Sequence, residues 1–381
     1  MKRILLYNSL SNIMLEVVVW MIYLKAQGWS VAQIAFLEGT FTICQALFEV
    51  PSGIISDWIG HKRALVLGEV LCALYLLTYF MPKQHLVLFA GFVIFAVGLA
   101  LISGTDVSLL YENIPETQKK AYLKYAGLFN GCITLAVALG NFSGGWLAKI
   151  SWNVLFISAI IVRLAALLTC LSISEQKMTD EDDPITFKLL FSELKDFTLH
   201  ERAFWPVTFA TCFASGAITI SYQYGTLLLE QLKMPTEMIS TVFGIISLLG
   251  AVSVLSYKFI QYWSDKSLII FLQALAVVCS ILLAFRNVFW LLLGLIVMNA
   301  VFEIWNVLLE NRIQTISYGH IRATVFSVVN IFESGLMTLG SILIGLLTKQ
   351  LSLNTTVALL CVTLLGVAVL CSLKLEKTKL V

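Results

Sequence analysis

Two amides and a carboxylate interrupt the first long apolar run of the chain. Asn8, Asn12 and Glu16 recur every four residues, so a helix puts them on one face. Counting about 12 residues into the run at about 1.5 Å each, Glu16 lies roughly 18 Å deep, near the middle of a bilayer. The same pattern returns along the chain. Glu38, Thr42, Gln45, Glu49 and Ser52 form a second stripe, and Asn299, Glu303, Asn306 and Glu310 another. Asn330 and Glu333 share a later run, and Thr208, Thr211, Ser215, Thr219 and Tyr222 line an earlier one. A charged side chain at the membrane centre costs about 2.5–3.5 kcal/mol on insertion scales, so such residues face a cavity or a partner. A buried carboxylate can load and release a proton as its solvation alternates. Its amide and hydroxyl neighbours can hydrogen-bond a small solute. Asn and Gln in a span also serve merely to join helices, and that reading stays open for Asn8, Gln45 and Asn299. Glu16 and Glu303 lack a basic partner in their own spans and lead the candidates. Asn12, Glu38, Asn306 and Glu333 join them as proton or substrate residues. Glu49 and Glu112 fall near span ends, where solvent or loop bases suffice. Trp20, Tyr23, Phe302 and Trp305 could wall a cavity for an apolar or cationic solute; helical spacing fits plain packing equally.

The elements that position these residues are membrane spans. Hydrophobic residues make up 59% of the 381 and charged residues 13%, about half the charged share of a soluble domain. Mean hydropathy is +0.89. The apolar content comes in blocks of about 20 residues, the length that crosses a bilayer. Twelve such blocks are expected, the first over roughly 4–26 and the fourth over roughly 84–113. The opening run has no small-residue cleavage site, so it reads as a first span and not a signal peptide. Most of the Lys and Arg, from Lys2, Arg3, Lys62 and Arg63 to Lys374 and Lys377, fall on one side of this layout. Lys25, Lys83, Lys149, Lys233, Arg286 and Lys349 fall on the other. The asymmetry predicts cytoplasmic termini. Arg163 belongs to neither side: it stands mid-span in the sixth block, and the sequence names no partner for it.

The chain divides into residues 1–173, a hydrophilic stretch 174–201 and residues 202–381. Within the stretch, Asp183-Pro184 suits a helix start, and Phe187, Leu190, Phe191, Leu194 and Phe197 follow at helical spacing. A short amphipathic helix on the inner membrane surface is expected there. The flanking parts repeat weakly: Asn130, Leu139-Gly140, Gly145 and Lys149 match Asn330, Leu339-Gly340, Gly345 and Lys349. Such duplication marks parallel-repeat transporters.

Between the second and third blocks lies Gly53-Ile54-Ile55-Ser56-Asp57-Trp58-Ile59-Gly60-His61-Lys62-Arg63. This G-x-x-x-D-x-x-G-x-K-R stretch resembles the loop motif between the second and third helices of the major facilitator superfamily. Tyr262-Trp263-Ser264-Asp265-Lys266 occupies the corresponding place in the second half, without the glycines. The resemblance implies an all-α polytopic membrane protein, with twelve transmembrane helices in two six-helix pseudo-symmetric bundles. It implies a central cavity lined by the first, fourth, seventh and tenth spans with faces of the second, fifth, eighth and eleventh. The outer third, sixth, ninth and twelfth spans are mostly bland in this sequence. It also implies a gate, with Asp57 near Arg322 at the start of the eleventh span and Arg63 near Asp106 or Glu112; Gly53, Gly60 and Lys62 complete the motif. The fifth span reads Ala136-Val137-Ala138-Leu139-Gly140-Asn141-Phe142-Ser143-Gly144-Gly145. It is similar to the antiporter motif G-x-x-x-G-P-x-x-G-G of the drug-efflux families, with Ala136 for the first glycine and Asn141 for the proline.

The function expected is secondary active transport of a small, amphipathic molecule in the cell (inner) membrane, by proton-coupled efflux. Proton-coupled uptake of a metabolite and a non-transporting receptor or scaffold are the alternatives. Partners are the substrate, protons and the bilayer; a monomer is expected. No Gly-Lys-Ser/Thr phosphate loop suggests ATP drive. The four histidines, His61, His85, His200 and His320, cluster with no nucleophile, so an enzyme is not expected. Neither are a cofactor, a metal site or nucleic-acid binding. The eight cysteines fall mostly within apolar blocks, without C-x-x-C spacing, and read as small hydrophobes.

Overall fold

A computed structural model of the chain describes residues 1–114, 122–173, 197–255, 265–317 and 322–375. The amphipathic stretch expected after Pro184 lies largely outside these residues. The described residues form helices and no strand. In chain order these are α1 (Lys2–Asn12), α2 (Trp20–Ala26), α3 (Val31–Ile59), α4 (His61–Thr78), α5 (His85–Ile102), α6 (Thr105–Glu112) and α7 (Tyr122–Ile150). There follow α8 (Trp152–Leu171), α9 (Phe204–Gln231), α10 (Thr236–Leu255), α11 (Asp265–Leu282), α12 (Val288–Ile316), α13 (Arg322–Leu347) and α14 (Leu353–Ser372). Eight helical stretches among the described residues are long and apolar enough to cross a membrane.

Local chemistry sets the ends. Ser30 and Gln33 form a reciprocal capping box at the start of α3. The hydroxyls of Ser151 and Ser352 accept the N–H groups of Val154 and Thr355, and Asn287 caps α12. Gly60, at φ +95°, is the one-residue joint between α3 and α4, a conformation that suits glycine.

The chain forms two compact units. Unit 1 comprises residues 1–180 with 234–248, and unit 2 comprises 181–233 with 249–381. In unit 1, α1 packs on α7 and α8, and α5 packs on α3 and α4. Gly68 and Gly98 make the α4–α5 crossing possible: a Cβ on Gly68 would stand 2.8 Å from the Gly98 carbonyl oxygen. Small residues at such crossings let backbones close up where lipid supplies no hydrophobic drive. An aromatic cluster fills the space around α2. Tyr23 meets Tyr79, Trp152 and Phe156, and Trp20 meets Phe92 at 5.0 Å. For Trp20 and Tyr23, packing is therefore the observed role. In unit 2, α9 is the buried centre, in contact with α12, α13 and α14. Lys266 opens α11 and donates to the carbonyls of Leu373 and Leu375 at the end of α14, where a cation meets the negative end of a helix.

The first and fourth spans differ from the expected continuous runs. The first is broken between Asn12 and Trp20, and the fourth between Ile102 and Thr105, where Gly104 has φ +77°. Mean hydropathy stays high across both breaks, although Glu16 stands in the first and Ser103-Gly104-Thr105-Asp106 at the second.

Candidate functional site

Glu16 sits inside the first break. The residues there are Ile13-Met14-Leu15-Glu16-Val17-Val18-Val19, and three successive β-branched valines are poor helix formers. Upstream, Asn12 folds back on its own helix, donating to the Asn8 carbonyl at 2.9 Å and the Asn8 Oδ1 at 3.0 Å. Asn8 in turn donates to the Phe129 carbonyl of α7. Helix resumes when the Glu16 carbonyl accepts from Val19 and Trp20, both at 2.9 Å.

Non-helical backbone at membrane depth must be buried in protein or line a cavity. Here α7 buries it. A Cβ on Gly140 would stand 3.0 Å from the Met14 backbone, and one on Gly144 would collide with the Leu15 carbonyl oxygen. The glycines of the antiporter-like stretch are thus the groove into which the broken strand of backbone fits. Gly145 serves a second seam: its N–H donates to Ser240 Oγ of α10 at 2.8 Å. Asn141, in the position of the motif's proline, donates to Ser247 Oγ at 2.9 Å, and its carbonyl accepts from the Ser240 hydroxyl. Lys149 and Glu237 pair at 2.8 Å at the end of this seam.

Beside the break lies a buried polar cluster that sequence reasoning missed. Arg163 of α8 pairs with Glu69 of α4 at 3.2 Å, and both side chains are buried. The other Glu69 oxygen accepts from the Tyr7 hydroxyl at 3.2 Å and the Ser11 hydroxyl at 2.5 Å. Glu69 thus accepts from three donors, one of them a guanidinium. Glu16 is also buried, and its Oε1 has no hydrogen-bond partner among the described residues. Arg163 is the cation whose field reaches Glu16. Glu38 of α3 is buried nearby, within electrostatic reach of the hydrogen-bonded Tyr75–Tyr79 pair that also feels Glu16.

Unit 2 holds its acids differently. A cavity of about 220 Å³ is lined by Ser215, Phe302, Asn306, Glu310, Asn330 and Glu333, among others, and none of the described residues lining it is basic. Asn306 donates to Glu310 Oε1 at 2.7 Å, and Ser215 and Glu333 share the lining. The stripes expected on α12 and α13 meet here. Glu303, on the same helix as Asn306, does not line this cavity; its side chain packs over Gly250 of α10. Trp305 is fully buried, whereas Phe302 lines the cavity.

The gating residues are only partly described. Gly53 lies within α3, Gly60 is the joint, and Lys62 and Arg63 occupy the first turn of α4. The side chains of Asp57 and Arg322 lie outside the described residues. Glu112 meets His61 Nδ1 at 2.5 Å. Asp106 accepts the N–H of Val107 at 2.8 Å, in the first turn of its own helix. Thr105 beside it donates to Ser56 Oγ at 3.0 Å and ties α6 to α3.

Comparison with known proteins bears on this arrangement. The family described as Major Facilitator Superfamily matches residues 4–341. The quinolone resistance protein NorA of Staphylococcus aureus is 22% identical over 272 residues, 71% of this chain and 69% of NorA. An uncharacterized MFS-type transporter of Methanocaldococcus jannaschii is 29% identical over 128 residues, and the match spans only 32% of its length. Among solved structures, the nucleoside transporter NupG, as a D323A mutant, superposes with TM-score 0.76 at 16% identity, covering 97% of each chain. A D-xylose–proton symporter gives 0.74 at 14%, covering 99% of this chain and 96% of its own. At such identities the likeness concerns the fold.

Proposed function

The chain belongs to the Major Facilitator Superfamily, and from that premise we propose that it is a proton-coupled exporter of a small amphipathic molecule, working by alternating access. Membership makes it a multi-pass secondary transporter and not an enzyme. The finer reading places six spans in residues 1–173 and six in 202–381, joined by 174–201, in the cell (inner) membrane with both termini cytoplasmic. The observation that carries the proton is the buried Glu16 carboxylate, with one oxygen unpartnered, at an unwound point of a membrane span. Discontinuous spans are where transporters of this kind build ion and substrate sites. Glu303 is the corresponding acid of unit 2, and Glu333 with Asn306 borders the solute cavity there.

Export rests on the relation to NorA. Uptake is the second reading, because the solved structures of like fold include a nucleoside transporter and a D-xylose–proton symporter. The test is a transport screen with purified protein in proteoliposomes under an imposed pH gradient, using quinolones, lipophilic cations, nucleosides and pentoses. Export by proton antiport requires a compound to move against its gradient, opposite to the proton, and to stop with a protonophore. Movement with the proton would establish uptake. A scaffold would move none of them and would lose nothing in its cellular role on Glu16→Gln or Glu303→Gln.

A further inference from the structure

Arg163 stands outside every polar stripe that the cavity-lining spans carry, yet it touches the break that presents Glu16. In an unbroken helix the Ser11 carbonyl would accept the N–H of residue 15. The break removes that donor, and Arg163 Nη1 takes its place at 2.8 Å. The interior end of α1 is thereby capped by a cation, which also suits the negative end of the helix. The same Nη1 pairs with Glu69, whose second oxygen is held by the Ser11 and Tyr7 hydroxyls of α1. On the other side, Gly140 and Gly144 receive the backbone of Met14 and Leu15. Arg163 Nη2 and Glu16 Oε1 are buried here with no hydrogen-bond partner among the described residues.

We propose that Arg163, held by Glu69, is the positioning residue of the proton site: it caps the interior end of α1, keeps the first span broken, and supplies the counter-charge that Glu16 meets when it gives up its proton. The proposal rests on Glu16 being a proton carrier and names what makes that possible. Glu69 answers the Arg163 guanidinium in an ion pair, so Arg163 carries no uncompensated charge while Glu16 keeps its proton. Release leaves one excess negative charge in a dry site, and Arg163 has an unused donor with which to meet it. The other titratable groups about the site offer no such charge. Tyr7 and Glu69 are already paired to each other, α4 and its C-cap add Cys72, Tyr75 and Tyr79, α3 adds Glu38, α8 adds Cys170, and α7 presents its glycines. A pair present for stability alone would need neither the Ser11 carbonyl nor a spare nitrogen.

The test uses the full-length protein in lipid nanodiscs, as wild type, Arg163→Lys, Glu16→Gln and the double variant Arg163→Gln/Glu69→Gln, which removes the pair without orphaning a charge. Amide hydrogen exchange of residues 13–19, read by mass spectrometry, should quicken about tenfold in the double variant, with α5 unchanged. Arg163→Lys, one nitrogen for two acceptors, should fall between. Independently, an infrared pH titration follows the carboxylic-acid band that Glu16→Gln abolishes. Its midpoint in the double variant should be displaced by about one pH unit, a tenfold change in proton concentration. Wild-type exchange at 13–19, or an unmoved midpoint, in a double variant whose α5 exchanges normally would overturn the proposal. Should the double variant not assemble, the same results in Arg163→Lys would overturn it. A wild type with no Glu16-dependent band would refute the proton reading itself, and with it the counter-charge role. The exchange data would still decide the cap.

Discussion

The two units carry acids of the same type in opposite settings. In unit 1, Glu69 and Glu16 are buried around a guanidinium, and the charge is met by protein: a base, two hydroxyls and the open end of a helix. In unit 2, Glu310 and Glu333 border a cavity with no base among its described lining residues, and Glu310 accepts there from the neutral Asn306. The first setting answers burial with a counter-charge; the second answers it with room. The same carboxylate group is thus accommodated in two chemically different ways.

The sharpest way to break this contrast is to orphan a charge. Arg163→Gln alone leaves Glu69 buried without its base and should cost about 3–5 kcal/mol. Thermal unfolding in detergent should find most of that restored in Arg163→Gln/Glu69→Gln. Equal losses in single and double variants would mean that the arginine packs and does not pair. The groove for the broken span comes next. Gly144→Ala drives a methyl into the Leu15 carbonyl and should cost about 1–3 kcal/mol. Gly131→Ala on the same helix, with nothing within 4 Å of its Cβ, should be neutral or stabilising by up to about 1 kcal/mol. A mild Gly144→Ala would remove the argument that α7 fixes the break. The smallest effect belongs to unit 2. Glu310→Gln, exposed on the cavity, should change stability by no more than about 0.5 kcal/mol while altering transport. A stability loss comparable to that of Arg163→Gln would erase the contrast.

Much of this was legible in the sequence, and the reasons differ by residue. Asn12, Glu16, Asn306, Glu310 and Glu333 stood out because a polar side chain in an apolar run has a period, and the period names a face. Gly140, Gly144 and Gly145 were visible through the antiporter-like spacing, though the spacing could not say that they receive the first span's backbone. Glu69 was missed because it stands alone on a helix otherwise free of polar stripes. Its partner Arg163 is 94 residues away in the chain, a separation for which no local pattern exists. The breaks in the first and fourth spans were hidden because hydropathy measures the cost of entering lipid and not whether the backbone is helical. Only Val17-Val18-Val19 and the paired Asn8 and Asn12 hinted at the first.

The central claim is that Glu16 carries the coupling proton. Proteoliposomes holding wild type or Glu16→Gln, loaded with a compound that the transport screen has shown to be moved by the wild type, measure it in two modes: accumulation driven by a pH gradient, and exchange at equal pH. If Glu16 carries the proton, the substitution fixes a protonated-like state, so accumulation collapses while exchange persists. Gradient-driven accumulation by Glu16→Gln at the wild-type level would contradict the account.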